Sequence, residues 1–274
     1  MKRILLMCAA LLSASLLHAG DTIKLKSFTD GDFAAKRIQG MRPLEGSDEY
    51  AQISADGGKV VAFSFRTGKQ VRTLFDVKDT KGETIKSFDD YEITADGKHM
   101  LIQTNYKRIY RRSFTADFYI YNIEDKSLRK LSEGGSEQIP TFSPDGKKIA
   151  FVRKNNIFIT DGKEEKQITT DGKFNEIING LPDWVNEEEF SFNNALAWGA
   201  DSKTLSWIKY DESNVKSYSL QMFKGSHPSL DDNAEYPGLY SYKYPKAGQE
   251  NSKVSAWCYD LTTGQTARYA LPLD

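Results

Sequence analysis

The chain has 274 residues, 39% of them hydrophobic, with 37 basic and 38 acidic side chains and a formal net charge of −1. So even a balance gives no general attraction to nucleic acid or anionic lipid, and no nucleic-acid partner is expected. Two cysteines and three histidines are too few for a disulfide framework or a metal cluster, and no metal or cofactor is expected.

Residues 1–19 read as a signal peptide. Lys2 and Arg3 form a basic start, residues 4–17 an apolar run, and His18-Ala19-Gly20 a small-residue exit. The apolar run is too short for a comfortable membrane span, so no stable membrane anchor is expected. Cys8 lies too early in it to resemble an acylation site. Cleavage after Ala19 or Gly20 would export a mature chain, residues 20–274, to the periplasm or the extracellular space. Cys258 would then be its only cysteine. It sits in the apolar stretch Ala256-Trp257-Cys258-Tyr259, where a buried structural thiol is expected.

A degenerate repeat follows. Ile53-Ser54-Ala55-Asp56-Gly57, Ile93-Thr94-Ala95-Asp96-Gly97, Phe142-Ser143-Pro144-Asp145-Gly146 and Trp198-Gly199-Ala200-Asp201-Ser202 each precede a lysine and an apolar strand. Their aspartates lie 40, 49 and 56 positions apart, the spacing of β-propeller blades with growing insertions. Asp and Gly tolerate positive φ, so each marker predicts a tight turn between two strands. Three further hairpins turn at Glu124-Asp125-Lys126, Asp161-Gly162-Lys163 and Thr262-Thr263-Gly264, and read as the outer hairpin of a blade. Helical periodicity is confined to short turns near Phe33-Ala34 and from Val185 to Glu189. The longest flexible loop is expected from Phe223 to Tyr236. The expected fold class is all-β: a partial β-propeller of four-stranded antiparallel blades, about four of them.

Three segments carry chemistry. In Asp183-Trp184-Val185-Asn186-Glu187-Glu188-Glu189, three adjacent carboxylates follow a Trp-Val pair. A strand would send them to opposite faces, whereas a turn or short helix lets them converge on a cation such as a peptide's α-ammonium. Tyr110-Arg111-Arg112-Ser113-Phe114-Thr115-Ala116 reads either as a solvated basic strand edge or as a binding segment. Tyr244-Pro245-Lys246-Ala247-Gly248 reads as a long inter-strand loop or an extended arm. His99 lies in a turn and reads as a surface residue, and His227 lies in a polar loop. The sequence has no Gly-x-Ser-x-Gly elbow, so no catalytic residue is assigned.

Together, and in this order, these segments resemble the dipeptidyl peptidase IV family of serine exopeptidases. The resemblance implies an eight-bladed propeller followed by an α/β-hydrolase domain with a Ser/His/Asp triad, and this chain looks like the first half of that propeller. It implies that Glu188 and Glu189 bind the substrate's N-terminal ammonium, with no comparable role for Glu187. It implies that Arg111, rather than Arg112, hydrogen-bonds a peptide carbonyl. The expected function is thus non-catalytic recognition of peptide N-termini with Pro or Ala second, the chain alone being inactive. An arm from Tyr240 to Val254 is expected to contribute to a homodimer. The alternative is a stand-alone periplasmic propeller that binds protein or peptide without catalysis.

Overall fold

Every Asp-Gly marker of the repeat becomes a tight turn between antiparallel strands. The computed structural model describes residues 24–35, 40–223 and 236–270; the leader, Cys8, His18, His227 and all but the ends of the loop from Phe223 to Tyr236 lie outside them. Residues 1–39 and 40–274 are two separate units. The first holds one short helix among its described residues, α1 (Leu25–Thr29), followed by a turn in which the Phe28 and Phe33 rings meet at 5.2 Å. The sequence placed helical character a few residues later, at Phe33-Ala34. Gly31, at φ 76°, falls after the helix has already ended.

The second unit is built from sheets. The first runs β1 (Arg42–Pro43), β2 (Glu49–Ile53), β3 (Lys59–Ser64), β4 (Gln70–Asp76), each antiparallel to the next. The second contains β5 (Lys81–Gly82), β6 (Asp90–Ile93), β7 (His99–Arg108), β8 (Phe114–Asn122) and β9 (Ser127–Lys130), in the order β5-β9-β8-β7-β6. The third runs β10 (Gln138–Phe142), β11 (Ile149–Arg153), β12 (Asn156–Thr160), β13 (Glu165–Gln167).

The fourth sheet is interrupted twice. Its first strand is split into β14 (Ile177–Asn179) and β15 (Leu196–Trp198), with the helix α2 (Trp184–Phe190) between them. Both halves pair with one long strand, β16 (Thr204–Asp211). A separate two-stranded ribbon, β17 (Ser217–Met222) with β18 (Gly238–Lys243), precedes β19 (Lys253–Asp260) and β20 (Gln265–Arg268), which complete the sheet beyond β16. All-β character is thus observed. Uniform four-stranded antiparallel sheets are not: β5 joins the second sheet in parallel, and the split strand gives the fourth five members.

The repeat has a physical cause. In the first three markers the hydroxyl of Ser54, Thr94 or Ser143 donates to the aspartate two residues on, at 2.5, 2.7 and 2.7 Å. The same hydroxyl accepts the N–H five residues on, at 3.0 Å each time. These hydroxyl bonds hold Asp56, Asp96 and Asp145 below the usual carboxylate range. In the fourth marker Gly199 has no hydroxyl. A Cβ there would stand 2.2 Å from Thr204 Oγ1, so Thr204 fills the vacated space.

Sheets pack face to face, and strand alternation divides each middle sheet between two cores. Met100 and Ile102 join Val60, Ala62 and Phe75 of the first sheet, while Leu101 turns to Ile149, Phe151 and Phe158 of the third. Ala150 and Val152 then face Ile178, Leu205 and Trp207 of the fourth. Apolar runs buried on both faces explain why these strands read as continuous hydrophobic stretches. Cys258 is half-buried in β19 and unpaired, opposite Ser206 and Ala267, rather than fully buried as expected. His99 begins β7 half-buried, its Nδ1 sealed and without a partner, not on the open surface.

Candidate functional site

Three departures from plain sheet geometry meet at one place. The β7–β8 hairpin runs beyond its sheet past a bulge between Thr104 and Lys107, where Asn105 has φ 54°. Its tip is pinched by Ile109 and Tyr110 N–H groups donating to Ser113 O at 2.9 and 3.2 Å, which presents residues 110–112. The second departure is α2. The chain leaves β14 at Gly180 and returns at Ala195, with Ala195 N–H donating to Gly180 O at 2.9 Å across the neck. Gly180 has φ 78°, and a Cβ there would lie 2.6 Å from Leu196 Cδ2, so the neck requires glycine. The third departure is the β17–β18 ribbon, inserted between β16 and β19.

Local chemistry explains the helix. Asp183 is an extended N-cap residue whose Oδ1 accepts the Asn186 N–H at 2.9 Å and the Asn186 side-chain amide at 2.8 Å. Its Oδ2 accepts Ser252 Oγ–H at 2.5 Å, tying the helix start to the segment before β19. Ser191, at φ 61°, ends the helix in the left-handed region. Trp184 meets Tyr244 at 4.3 Å, Tyr110 at 5.6 Å and Tyr242 at 6.1 Å, each pair tilted. All three segments singled out in the sequence therefore share one aromatic cluster.

The triple glutamate divides into three environments. Glu187 is 4% exposed, and its Oε1 accepts the backbone N–H groups of Arg112 at 2.6 Å and Ser113 at 2.8 Å. Glu188 is part-buried, with Oε2 at 2.8 Å from Arg111 Nε and accepting Tyr110 O–H at 3.2 Å. Burial, then the Glu188 carboxylate, pushes the Tyr110 phenol up. Glu189 is exposed and has no hydrogen bond or ion pair among the described residues. The structure thus brings Arg111 and Glu188 together and leaves Glu189 beside them without a protein partner. Arg112 contributes backbone only: its N–H to Glu187 and its C=O to the Asn193 amide at 3.0 Å.

Residues 94–274 match the family described as the dipeptidyl peptidase IV (DPP IV) N-terminal region. The chain belongs to the dipeptidyl peptidase IV family. A solved relative, dipeptidyl peptidase 4 of Porphyromonas gingivalis, is 38% identical and superimposes with a TM-score of 0.85 over 93% of this chain and 36% of its own. Among curated relatives, a protein named dipeptidyl-aminopeptidase B from Coccidioides posadasii is 37% identical over 61% of this chain and 19% of its own length. Another of that name, from Verticillium alfalfae, is 36% identical over 86% of this chain and 27% of its own length. The chain therefore spans about a fifth to a quarter of the curated relatives it matches. The all-β architecture of this dipeptidyl peptidase IV-family chain is shared with the solved relative.

Beside the Arg111–Glu188 pair lies a cavity of about 830 Å³, walled by the β7–β8 tip, α2 and the β17–β18 ribbon. Glu188 and Glu189 are not among its lining residues; Arg111, Trp184, Glu187, Glu212 and Tyr242 are. Glu212, in the turn that follows β16, was not singled out by any motif. Glu187, the first of the three carboxylates, was expected to have no comparable role, and its hold on the hairpin tip comes from backbone groups more than seventy residues away. The extended hairpin of this region is β17–β18, most of it before the expected stretch from Tyr240 to Val254. That stretch holds the second half of β18, a turn and the start of β19, because the strand pairing runs from Ser217↔Lys243 to Met222↔Gly238. Among the described residues there is no group of metal-binding side chains, and no helix is long and apolar enough to cross a membrane.

Proposed function

We propose that this chain is the substrate-recognising, non-catalytic propeller portion of a secreted dipeptidyl peptidase IV-like serine exopeptidase. The four successive sheets are read as about four blades. Glu188 and Glu189 hold the α-ammonium of a peptide N-terminus with Pro or Ala second, and Arg111 donates to a peptide carbonyl. The ribbon and its root, including the stretch from Tyr240 to Val254, form the arm through which two copies associate.

The observation that supports this reading is the 2.8 Å contact between Arg111 and Glu188. Two segments singled out separately in the sequence meet there through the side chains that the reading requires. Arg111 approaches Glu188 with Nε, and its terminal nitrogens have no partner among the described residues. Glu188 and Glu189 offer acceptor-only groups to an ammonium, and each contact at about 4 Å is worth on the order of 4 kcal/mol at an effective dielectric of about 20, before desolvation. Fixing the amine sets a ruler along the peptide, and orientation is then the contribution to catalysis elsewhere in the complete enzyme.

The test is made in a complete family enzyme that carries residues 40–274 of this chain in place of its own counterpart. Glu188→Gln and Glu189→Gln keep size and hydrogen bonding but remove a charge. Each is expected to lower kcat/KM on a Gly-Pro amide by roughly 2–4 kcal/mol, the cost of breaking a desolvated charge pair. Wild-type kcat/KM in both variants would overturn the assignment.

A further inference from the structure

The cavity between the β7–β8 tip, α2 and the β17–β18 ribbon has three carboxylates on its wall: Asp183, Glu187 and Glu212. Two are engaged by protein donors. Asp183 accepts from Asn186 and Ser252, and Glu187 accepts the two backbone N–H groups of the hairpin tip. Glu212 differs. It is 6% exposed, yet its carboxylate has no hydrogen bond or ion pair among the described residues. Its backbone is held on both sides, N–H to Glu176 O at 2.8 Å and C=O from Val215 N–H at 3.0 Å, so the side chain is carried on a fixed frame.

Each cation on the same wall already has an acceptor other than Glu212. Lys243 donates to Ser213 O at 3.2 Å and Val215 O at 2.8 Å. Arg111 is paired with Glu188, and Arg108 Nε donates to Tyr110 O at 2.6 Å. Glu176, across the backbone pairing, is ion-paired with Lys173. The wall also carries apolar and aromatic side chains, among them Leu181, Trp184, Leu220, Met222 and Tyr242, beside uncharged polar groups such as Gln138 and Asn175. A largely desolvated carboxylate facing a cavity without a protein partner is costly to ionise, and a cation brought into that cavity would relieve the cost. Aromatic faces add attraction for such a charge.

We propose that Glu212 anchors a second cation site, which takes an organic monocation: a primary ammonium on an apolar stem. The site goes beyond the proposed N-terminal recognition, because neither Glu188 nor Glu189 lines this cavity. Burial, then the nearby Asp183 charge, pushes the Glu212 carboxyl up to about 7, while Lys243 pulls the other way. Binding a cation ionises Glu212 and so releases a proton near neutral pH.

The probes are hexylammonium and its neutral counterpart hexanol, titrated calorimetrically into the full chain. At pH 8 the ammonium is expected to bind at least about tenfold more tightly than the alcohol, an attraction set by the desolvated charge. Between pH 6 and pH 8 its affinity should rise about tenfold, with heats that shift between buffers of different ionisation enthalpy, as follows from a group titrating near 7. Hexanol should show neither change. Glu212→Gln should abolish the preference while hexanol still binds, and the wild-type pH pair decides the matter if that variant fails to fold. Equal affinity for the two probes, no binding of either, or a preference that survives Glu212→Gln would overturn the proposal, and loss of that preference with Glu188→Gln instead would assign the binding to the N-terminal recognition residues.

Discussion

Glu187 and Glu188 are neighbours in sequence and do different things. Glu187 turns inward and holds the backbone that carries Arg111, whereas Glu188 turns to the guanidinium itself. The geometry predicts a corresponding split in variants of a complete enzyme bearing this region. Arg111→Ala should reduce kcat/KM on a free-N-terminus substrate more than Arg112→Ala, whose side chain has no contact at the site. Glu187→Ala should act through stability, leaving two part-buried N–H groups unpaired at about 1–3 kcal/mol. Thermal unfolding beside steady-state kinetics separates the cases; equal small effects at all three positions would mean an ordinary charged surface. A second buried carboxylate gives a pH prediction. Glu137 is 1% exposed, its Oε2 accepts the Phe118 N–H at 3.3 Å and its Oε1 has no partner. Burial pushes it from 4.5 to about 7, with Asp117 adding to the rise and Arg153 opposing it. The folded chain therefore keeps a proton that the unfolded chain loses above pH 4.5, so this group's contribution falls as pH rises through 4.5 to 7. Glu137→Gln should raise stability by about 1–3 kcal/mol at pH 8 and change little at pH 4. A variant no more stable at pH 8 than the wild type would contradict the buried, strained carboxylate.

At the scale of elements, the recurring turn is a unit that can be tested alone. Asp96 accepts Thr94 Oγ1–H at 2.7 Å and Lys98 N–H at 3.0 Å. Asp96→Ala should cost no more than about 1 kcal/mol at neutral pH, since the turn is open to water. Because those bonds lower the carboxyl's pKa, the loss should be full above pH 3.8 and fade as acid protonates the wild type. A cost that persists unchanged at pH 2 would point to the backbone, not the carboxylate. The same turn shows why so much of the fold was legible: Ser/Thr-x-Asp-Gly has a local cause that distant packing does not override. The hairpins at Glu124-Asp125-Lys126 and Thr262-Thr263-Gly264 were legible for the same reason, and they close the β8–β9 and β19–β20 pairs. What could not be read was non-local. The split of the fourth sheet's first strand depends on Gly180 and Ala195 meeting through backbone groups, and no run of residues announces that. The ribbon was misplaced because β18 is rich in tyrosine and reads equally well as loop or strand. In the site, the motif letters pointed to Arg111, Glu188 and Glu189, but the inward turn of Glu187 and the burial of Glu212 depend on neighbours far along the chain.

For the whole molecule, the question is what the outermost sheet faces do when this chain stands by itself. The inner face of the first sheet is sealed by Val60, Ala62 and Phe75. Its other face carries a different set: Tyr50 stacks on Phe63 at 5.5 Å and meets Phe65 at 4.9 Å, and Phe65 and Val71 are 48% and 50% exposed. At the other end of the series, Val254 and Tyr269 are 42% and 45% exposed on the fourth sheet. In stacked-sheet architectures each sheet buries its neighbour's face, so a terminal face left apolar is an association surface. The chain on its own is therefore expected to self-associate in a concentration-dependent way, visible by sedimentation velocity. Phe65→Lys with Val71→Lys should shift the distribution toward monomer without lowering the melting temperature, because neither side chain supports the buried clusters. The double variant separates this face from the ribbon: if Tyr240 and its neighbours were the sole contact, the lysines would change nothing. A wild-type chain that stays monodisperse and monomeric at high concentration would show that these faces are covered within the chain itself.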